Sequence, residues 1–489
     1  MDLILAFDIG TSSLRTALFH ADGVRRIVPS TAQETYPLRT TADGGAEFPP
    51  GLLRDAALRC LDRTLETLRT DPALAGAKIT GIGSSCFWHS LIGLDAEGEP
   101  LTPVITWADS RCGEDAAALR ERFDERDLHA RTGCMLRASF WPAKLAWLRR
   151  TRPEVFRRVA LWVSPAEWLQ RQLCGEARCA YGMATGTGLF NPSTLEWEPL
   201  LLETCGVTPE QLGTIGDEPS TIAAPWHDRF PELAGVPWFP GIGDGAASNL
   251  GCGATRPGLA AINVGTSAAL RVMSEGAEAR APYGLFCYRV DARRYLVGGA
   301  VSNAGNLRAW CLREWKLPED PDAIEAELLA RPVPQHGLTI LPFWTAERAP
   351  TWRDDLKGAV LGFTQHTTAL DMLQATTEAV YYRLARIAAM VAEHEGTPPK
   401  MIVSGGIQKS PASIRRLASV FNAPLYPNDE PEASIRGAAV FVVEKLGCPV
   451  SPFEGGDPVA PVAEHAALFR EARELQARLE RLMEEHPLS

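Results

Sequence analysis

The chain lacks several features that would place it in a common functional class. Its 489 residues carry a net charge of −11, so a broad basic surface for nucleic acid or for an anionic membrane is not expected. No stretch approaches the roughly 18 uninterrupted apolar residues of a membrane span. The apolar run at 3–7 ends at Asp8 and is too short for a secretory signal peptide. We therefore predict a cytoplasmic protein with neither nucleic acid nor membrane partners.

The cysteines show no metal-binding or disulfide pattern. There are 11 of them, an odd number, and no CxxC pair occurs. Cys174 and Cys179 lie closest together along the chain, and no cluster of histidines accompanies them. This distribution predicts reduced thiols in a reducing compartment.

The two common nucleotide-binding motifs are absent or incomplete. No GxxxxGK[ST] occurs, which excludes a P-loop ATPase. Residues 241–246 match GxGxxA, but that fingerprint also requires an acidic residue about 20 positions later. No Asp or Glu occurs between Gly245 and Ser274, so a dinucleotide-dependent dehydrogenase is disfavoured.

What the chain does contain is an internal repeat. Residues 5–18 and 260–270 each read as an apolar strand, a Gly-Thr-Ser turn and a second apolar strand, about half the chain length apart. A chain of 489 residues also exceeds the roughly 250–300 residues that one core usually supports. We predict two α/β domains, 1–254 and 255–489, joined at the breaker cluster Thr255-Arg256-Pro257-Gly258.

Apolar periodicity predicts the main elements of both halves. Short apolar runs predict strands at 78–82, 104–107, 259–264, 295–297 and 401–403. Amphipathic stretches predict helices at 51–70, 370–393, 412–421 and 463–484. The leucine stripe of the last helix indicates packing on its own domain, and a coiled-coil homodimer stays open as the alternative.

The Gly-Thr-Ser turns are candidate phosphate sites. Glycine lets the backbone approach a phosphate closely, and turn N–H groups and hydroxyls can converge on its oxygens. Asp8 stands two residues before the first turn, where its carboxylate can hold Mg²⁺ beside the phosphates of ATP. Arg15 either adds positive charge at this place or is a solvated strand residue.

Asp244 is the candidate base for phosphoryl transfer. It lies between Gly243 and Gly245, where the backbone can turn sharply and expose the carboxylate. The same pattern also suits an N-cap residue of a helix that begins near Gly245. The residues alone leave both interpretations open.

Many ordered motifs resemble the FGGY carbohydrate kinases, members of the actin, hexokinase and heat-shock ATPase superfamily. The resemblance runs from Asp2 to at least Val440. The matching segments are 7–15, Gly133 with 144–148, 184–189, 243–245, 264–267, 341–352, 357–362, 404–411 and 432–439.

The resemblance implies two actin-like (ribonuclease H-like) domains with mixed central sheets flanked by helices, and an active site in the interdomain cleft. It implies that Asp244 deprotonates the acceptor hydroxyl and that Asp8 and Asp244 serve Mg²⁺. It also implies a nucleotide site for ATP formed by Thr11, Ser12, Ser13, Arg15, Gly265, Thr266, Gly305, Gly405, Gly406 and Ser410.

The acceptor-side segments 84–91 and 100–111 most resemble the gluconate kinase branch. The candidate substrate ligands are His89, Trp107, Asp109 and Arg111, and Arg111 can pair with a substrate carboxylate. Asp109 and Arg111 can equally form a structural ion pair.

Two alternatives to gluconate phosphorylation stay open. Trp88 and its two preceding residues are bulkier than usual for the family, which leaves xylulose or another polyol as substrate. An alternative of another class is a catalytically silent regulator that binds nucleotide or sugar. An actin-like ATPase without an acceptor would need neither the acceptor-side segments nor Asp244.

Overall fold

The computed structural model describes residues 1–22, 25–334, 336–353, 355–428, 430–450 and 456–486. Its strands are β1 Asp2–Ile9, β2 Ser13–His20, β3 Arg26–Thr35, β4 Arg39–Thr40, β5 Ala46–Phe48, β6 Lys78–Cys86, β7 Ile92–Leu94, β8 Val104–Ile105, β9 Leu161–Val163, β10 Phe190–Asn191, β11 Glu196–Trp197, β12 Ile242–Gly243, β13 Leu259–Val264, β14 Ala268–Glu275, β15 Phe286–Arg289, β16 Arg294–Val301, β17 Thr339–Leu341, β18 Ala359–Leu361, β19 Lys400–Ser404 and β20 Leu425–Pro427.

The α-helices of the described residues alternate with these strands. They are α1 Pro50–Thr70, α2 Gly113–Arg122, α3 Glu125–Thr132, α4 Trp141–Thr151, α5 Pro153–Arg158, α6 Pro165–Cys174, α7 Tyr181–Thr187, α8 Pro199–Cys205, α9 Asp244–Gly251, α10 Gly305–Glu314, α11 Pro321–Ala330, α12 Ala369–Glu395, α13 Pro411–Phe421, α14 Ala433–Lys445 and α15 Ala466–Glu485. The predicted helices at 51–70, 370–393 and 412–421 correspond to α1, α12 and α13.

A mixed sheet forms the centre of the first half, in the order β3-β2-β1-β6-β12. Strand β2 runs antiparallel to both of its neighbours, β1 and β3, whereas β6 and β12 run parallel to β1. Residues 3–7 of β1 are fully buried, because helices cover both faces of the sheet at this central strand.

A second mixed sheet repeats this arrangement in the second half. Its order is β15-β16-β14-β13-β19-β20. Strand β14 runs antiparallel to both of its neighbours, β13 and β16, whereas β19 and β20 run parallel to β13. The last five strands therefore match the first sheet one by one in order and direction, with β15 added at the edge. The predicted fold of two α/β domains with mixed sheets is confirmed.

Helices α9 and α14 cross at close range and join the two halves. A Cβ on Gly251 would lie 1.8 Å from the Ala433 carbonyl oxygen, and one on Gly437 would lie 1.7 Å from that of Ala247. Glycine is therefore required at the crossing on both helices. Helix α14 continues beneath the first sheet, where it packs against β1 and β6.

The last helix only partly follows its sequence prediction. Ala472 and Leu479 pack against the second half, but Leu468, Leu475 and Leu482 are exposed. The leucine stripe therefore lies only partly against the protein. The residues of this helix that are buried are Phe469, Gln476 and Glu480, so the buried face is rotated away from the leucines. The predicted strand at 104–107 is likewise shorter, ending at residue 105. No helix of the described ranges is both long and apolar enough to cross a membrane.

Candidate active site

The carboxyl ends of the parallel strands β1, β6 and β12 meet at one edge of the first sheet. Asp8 pairs with Ser85 across β1 and β6, and Gly243 pairs with Cys86 across β12 and β6. Asp244 follows Gly243 directly and begins α9. The two candidate carboxylates are therefore neighbours, and the charge of Asp244 raises the pKa of Asp8.

Asp244 faces a cavity that residues of both halves line. Its side chain is exposed to that cavity, and its Oδ1 accepts a hydrogen bond from the Gly245 N–H at 2.7 Å. Separation from bulk water raises the pKa of Asp244, against the opposing effect of Arg271 and Arg348. Gly243 occupies the N-cap position of α9, so Asp244 is not the N-cap residue.

Asp8 lies deeper at the same edge. Burial raises the pKa of Asp8 to about 6, although the nearby Arg15 guanidinium lowers it. Arg15 Nη1 lies 3.8 Å from Asp8 Oδ2 and also forms an ion pair with Glu432. The positive charge predicted for the nucleotide is therefore shared between two carboxylates of the protein.

The first phosphate turn links β1 to β2. The Gly10 N–H donates to the Ser13 carbonyl at 2.8 Å and closes the turn. Thr11 Oγ1 accepts a hydrogen bond from Trp107 Nε1 at 3.1 Å, and the Ser12 side chain is exposed. A side chain from the acceptor side thus contacts this turn.

The second phosphate turn links β13 to β14 and is held differently. The Gly265 N–H donates to the Ser267 carbonyl at 2.9 Å. The first N–H groups of α10 donate to the same turn, Gly305 to Gly265 at 3.0 Å and Asn306 to Thr266 at 3.1 Å. A Cβ on Gly305 would lie 2.3 Å from the Gly265 oxygen, so glycine is required for this contact.

A cavity of about 530 Å³ opens on the second half. The predicted nucleotide residues that line it are Gly265, Thr266, Gly305, Gly406 and Ser410. Gly405 lies next to this lining at φ 91°, and a Cβ there would lie 2.6 Å from the Val264 oxygen. Gly305 and Gly405 therefore let two backbone segments pack directly against the second phosphate turn and the strand end before it.

Arg308 also lines this cavity and was not predicted from the sequence. Its Nη1 is buried and has no hydrogen-bond partner among the described residues, which suits an anionic ligand such as a nucleotide phosphate. Ser410, in contrast, donates its hydroxyl hydrogen to Glu325 at 2.8 Å and accepts from the Ser413 N–H at 3.2 Å. It lines the cavity as the cap of α13.

A second cavity, of about 310 Å³, lies between the halves. Its lining includes the charged or hydrogen-bonding side chains of His89, Trp107, Asp244, Arg271 and Arg348. An aromatic wall is formed by Trp88, Phe140, Phe286, Tyr288 and Trp352. Residues 264–266 line the first cavity and residues 267–269 line this one, so the second phosphate turn separates the two cavities.

His89 is held as a neutral imidazole in this second cavity. Burial lowers the pKa of His89 to about 3, and Nδ1 donates to the Gly186 carbonyl, so Nε2 is left as a hydrogen-bond acceptor. The backbone of His89 is left-handed, with φ 66°. The buried Lys144 supports this strained backbone by donating to the His89 carbonyl at 2.9 Å.

Asp109 and Arg111 lie outside the lining of both cavities. Arg111 Nη2 lies 2.6 Å from carboxylate oxygens of both Asp109 and Glu47. Asp109 is buried and also accepts from the Ala46 N–H at 2.9 Å. The structure therefore forms the structural ion pair that the sequence left open, and substrate contact by these two residues stays a prediction.

Arg271 and Arg348 line the acceptor-side cavity without having been predicted. Ala268, Ala269 and Arg271 of β14 all line the cavity. Ala269 and Arg271 stand two positions apart and therefore lie on the same face of the strand. Arg348 lay within a matched motif, but only the tertiary structure directs it to Asp244.

The site suits a divalent cation that arrives with a nucleotide. In the described part of the chain, no group of three or more His, Cys, Asp or Glu residues could hold a metal ion by itself. Asp8 and Asp244 supply two adjacent carboxylates, and the nearby Ser85 Oγ is buried without a hydrogen-bond partner. Mg²⁺ typically uses one or two carboxylates together with phosphates and water, so these residues fit Mg²⁺.

Known proteins match both halves of the chain. The N-terminal domain of the FGGY family of carbohydrate kinases matches residues 3–251, and the C-terminal domain of that family matches residues 260–443. The gluconokinase of Bacillus subtilis (strain 168) is 27% identical over 96% of this chain and 93% of its own length. The xylulose kinase of Escherichia coli (strain K12) is 25% identical over 86% and 84%, respectively.

Solved structures match over almost the whole chain. The ligand-bound xylulose kinase from Lactobacillus acidophilus has a TM-score of 0.92 and 26% identity, covering 99% of both chains. The gluconate kinase from the same organism has a TM-score of 0.91 and 26% identity, covering 99% of this chain and 98% of that one. The chain therefore belongs to the FGGY family of carbohydrate kinases, phosphotransferases that use ATP as phosphate donor and an alcohol group of a sugar as acceptor.

Proposed function

We propose that this chain transfers the γ-phosphoryl group of Mg²⁺-ATP to a hydroxyl of a small sugar acid, with gluconate as the first candidate and Asp244 as the general base. The observation that carries the proposal is the shared wall between the two cavities. One face of the second phosphate turn lines the nucleotide-side cavity and the other faces Asp244. A phosphoryl group held at this turn lies between donor and acceptor.

The donor side supplies backbone contacts and positive charge for ATP. The turns at Thr11 and Thr266 and the loop at Gly405 present backbone N–H groups to the phosphates, while the first N–H groups of α10 hold the second turn in place. The unpartnered Arg308 Nη1 adds a cation. Asp8 and Asp244 would hold Mg²⁺, which supplies charge stabilisation for the transferred group when bound.

The acceptor side supplies the base. Asp244 takes the proton of the acceptor hydroxyl. The oxygen of that hydroxyl forms a bond to the γ-phosphorus while the bond from this phosphorus to the leaving oxygen of ADP breaks. The raised pKa of Asp244 makes it a stronger base than a solvated carboxylate. His89 Nε2 accepts a hydrogen bond from another hydroxyl, and the aromatic wall packs on the carbon chain and excludes water.

A ketopentose such as xylulose is the second candidate acceptor. The xylulose kinase from Lactobacillus acidophilus matches this chain as well as the gluconate kinase from that organism does. A neutral ketose would use the same base and the same phosphate turns, so the difference between the two candidates lies in the remaining lining of the acceptor-side cavity.

Three further properties belong to this proposal. The domain boundary at 254/255 agrees with the gap between α9 and β13. All 11 cysteines are free thiols, which suits the cytoplasm.

A homodimer would bury the exposed leucines of α15. The molar mass in solution, measured by light scattering, tests whether the dimer forms.

The experiment that tests the function is an ADP-release assay with ATP and a panel of sugars, sugar acids and polyols, with and without EDTA. Turnover with gluconate that EDTA abolishes is expected. Turnover with xylulose alone would keep the base and the donor site but transfer the substrate to the second candidate. ATP binding without any sugar-dependent turnover would overturn the proposal and favour a silent regulator, and sugar-independent hydrolysis would indicate an actin-like ATPase.

A further inference from the structure

The charged lining of the acceptor-side cavity does not balance. Asp244 contributes one negative charge, whereas Arg271 and Arg348 contribute two positive charges and His89 is neutral. Enclosed charges in proteins are normally paired, because an unpaired charge out of water costs several kcal/mol. Arg348 also has the buried Glu347 beside it, so the positive charge that is left for an anion lies at Arg271.

Arg271 is the arginine of this cavity whose side chain makes no hydrogen bond in the described residues. Its Nε is buried and unpartnered, and although the charges of Arg271 and Asp244 influence each other, no ion pair within 4.0 Å joins the two side chains in that part of the chain. Arg348, in contrast, donates to Ser302 Oγ at 3.2 Å and to the Val301 carbonyl at 3.3 Å. The guanidinium group that is still free to bind an anion in this cavity is therefore that of Arg271.

The position of Arg271 is specified by a glycine of the catalytic loop. A Cβ on Gly245 would lie 2.8 Å from Arg271 Nε, so the guanidinium occupies the space that a side chain at 245 would fill. This contact holds Arg271 on the acceptor side, beside Asp244. The unpartnered arginine of the nucleotide-side cavity is Arg308, so the two free guanidinium groups serve different cavities.

We propose that Arg271 binds the carboxylate of the acceptor and thereby selects sugar acids over neutral sugars of the same shape. This inference rests on the proposed function. An arginine matches a carboxylate with paired, charge-assisted hydrogen bonds, and a site built for such a group rejects analogues that lack it. Arg111, assigned this role from the sequence, already pairs with Asp109 and Glu47.

Two acceptors and three variants test the proposal. Gluconate and glucitol have the same hydroxyl configuration and differ only in the carboxylate. Arg271→Met removes the charge at similar volume, Arg271→Lys keeps the charge without the planar fork, and Arg293→Met removes an arginine that is 84% exposed, as a matched control. KM is measured for both acceptors and for ATP, and thermal unfolding reports folding.

Arg271→Met is expected to raise KM for gluconate about 100-fold and to leave KM for glucitol and for ATP within about threefold. Arg271→Lys is expected to fall between wild type and Arg271→Met, and Arg293→Met to match wild type. An unchanged gluconate-to-glucitol ratio in Arg271→Met overturns the proposal. A rise in KM for ATP with both acceptors would instead assign Arg271 to the γ-phosphate.

Calorimetric binding of gluconate separates this inference from the kinase function. Absence of sugar-dependent ADP release from wild type would overturn the proposed function alone, provided that gluconate still binds wild type and fails to bind Arg271→Met. Equal binding of gluconate to wild type and to Arg271→Met, or no binding to wild type, would overturn the proposed role of Arg271 even if the protein is an active kinase.

Discussion

The two halves end their central strands at matching places but with different side chains. Asp8 near the end of β1 corresponds to Asn263 near the end of β13, because Asp8 pairs with Ser85 and Asn263 pairs with Ser404 on the neighbouring parallel strand. The carboxylate of Asp8 is thus an amide in the second half, and the residue that follows β20 is also an amide, Asn428. The sheets around them share strand order and direction, so the difference lies in the chemistry of the strand ends and not in the backbone.

The amides of the second half are used to hold structure. Asn263 Nδ2 donates to Ser404 Oγ at 3.1 Å, and Asn428 Nδ2 donates to the Cys252 carbonyl at 2.9 Å. Neutral groups at these positions do not repel a triphosphate, whereas the carboxylates of Asp8 and Asp244 in the first half can take a proton or bind a cation. The comparison teaches that one half of the repeat carries the carboxylates of the site, whereas the other half has neutral amides at its strand ends that hold the structure together.

The largest effect is expected where the comparison is broken at the base. Asp244→Asn removes the carboxylate that follows β12, and kcat is expected to fall about 10³-fold because no carboxylate takes the acceptor proton. KM for ATP stays close to wild type. Steady-state kinetics against the exposed control Asp55→Asn check this, and near-normal kcat in Asp244→Asn would remove the residue from the mechanism.

Asp8→Asn removes the other carboxylate and is expected to stabilise the metal-free protein. The pKa of Asp8 rises from 3.8 to about 6 on folding, so the folded state holds more protons between these values and loses stability as pH rises through them. At pH 7.5 the charged Asp8 then costs about 3 kcal/mol.

Thermal unfolding in EDTA checks this prediction. The midpoint of Asp8→Asn is expected to exceed that of wild type at pH 7.5, and the difference should shrink at pH 4, where both side chains are mainly neutral. A variant that is less stable than wild type at pH 7.5 would show that the pairing of Asp8 with Arg15 outweighs its burial.

Asn263→Asp sharpens the comparison from the other side. A carboxylate here stands beside the second phosphate turn and in the lining of the acceptor-side cavity. It repels both the γ-phosphate and the carboxylate of gluconate, so KM for ATP and KM for gluconate are each expected to rise about 10-fold. Asn263→Ser serves as control because it removes the amide without adding charge. Equal effects of the two variants would show that the hydrogen bond to Ser404 matters more than charge.

The smallest effect concerns how the two turns are held. The first turn receives a side-chain hydrogen bond from Trp107, whereas the second receives backbone N–H groups of α10. Trp107→Phe keeps the aromatic surface and removes the donor to Thr11, so KM for ATP is expected to rise about threefold. Kinetics of Trp107→Phe and Thr11→Val should agree if this bond is responsible.

The fold and the carboxylates were predictable because their signals are local. Strand, turn and strand stand together around Gly10 and Gly265, and glycines flank Asp244. The partners of Arg15 and Arg111 come from distant segments, Glu432 and Glu47, and no local pattern announces them. Sequence reasoning therefore identified the right residue types near the cleft but could not tell which charges were already paired.

Arg271 shows the opposite failure. Its four-residue distance from Ser267 was visible, but the direction of its side chain depends on the register of β14 and on the space above Gly245. Likewise, the leucines of α15 share a heptad spacing, yet only the docking of that helix decides which edge faces inwards.

The path of α14 has a consequence for how the protein is made. Helix α14 packs under β1 and β6, and its Val442 occupies the space next to Gly81 and Gly83. It leaves the ribosome about 190 residues after β12 completes the first sheet, a delay of about 10–40 s at ordinary elongation rates. During that time the face of β1 and β6 that α14 later covers is exposed. The nascent chain therefore presents apolar surface that chaperones can bind until translation is nearly complete.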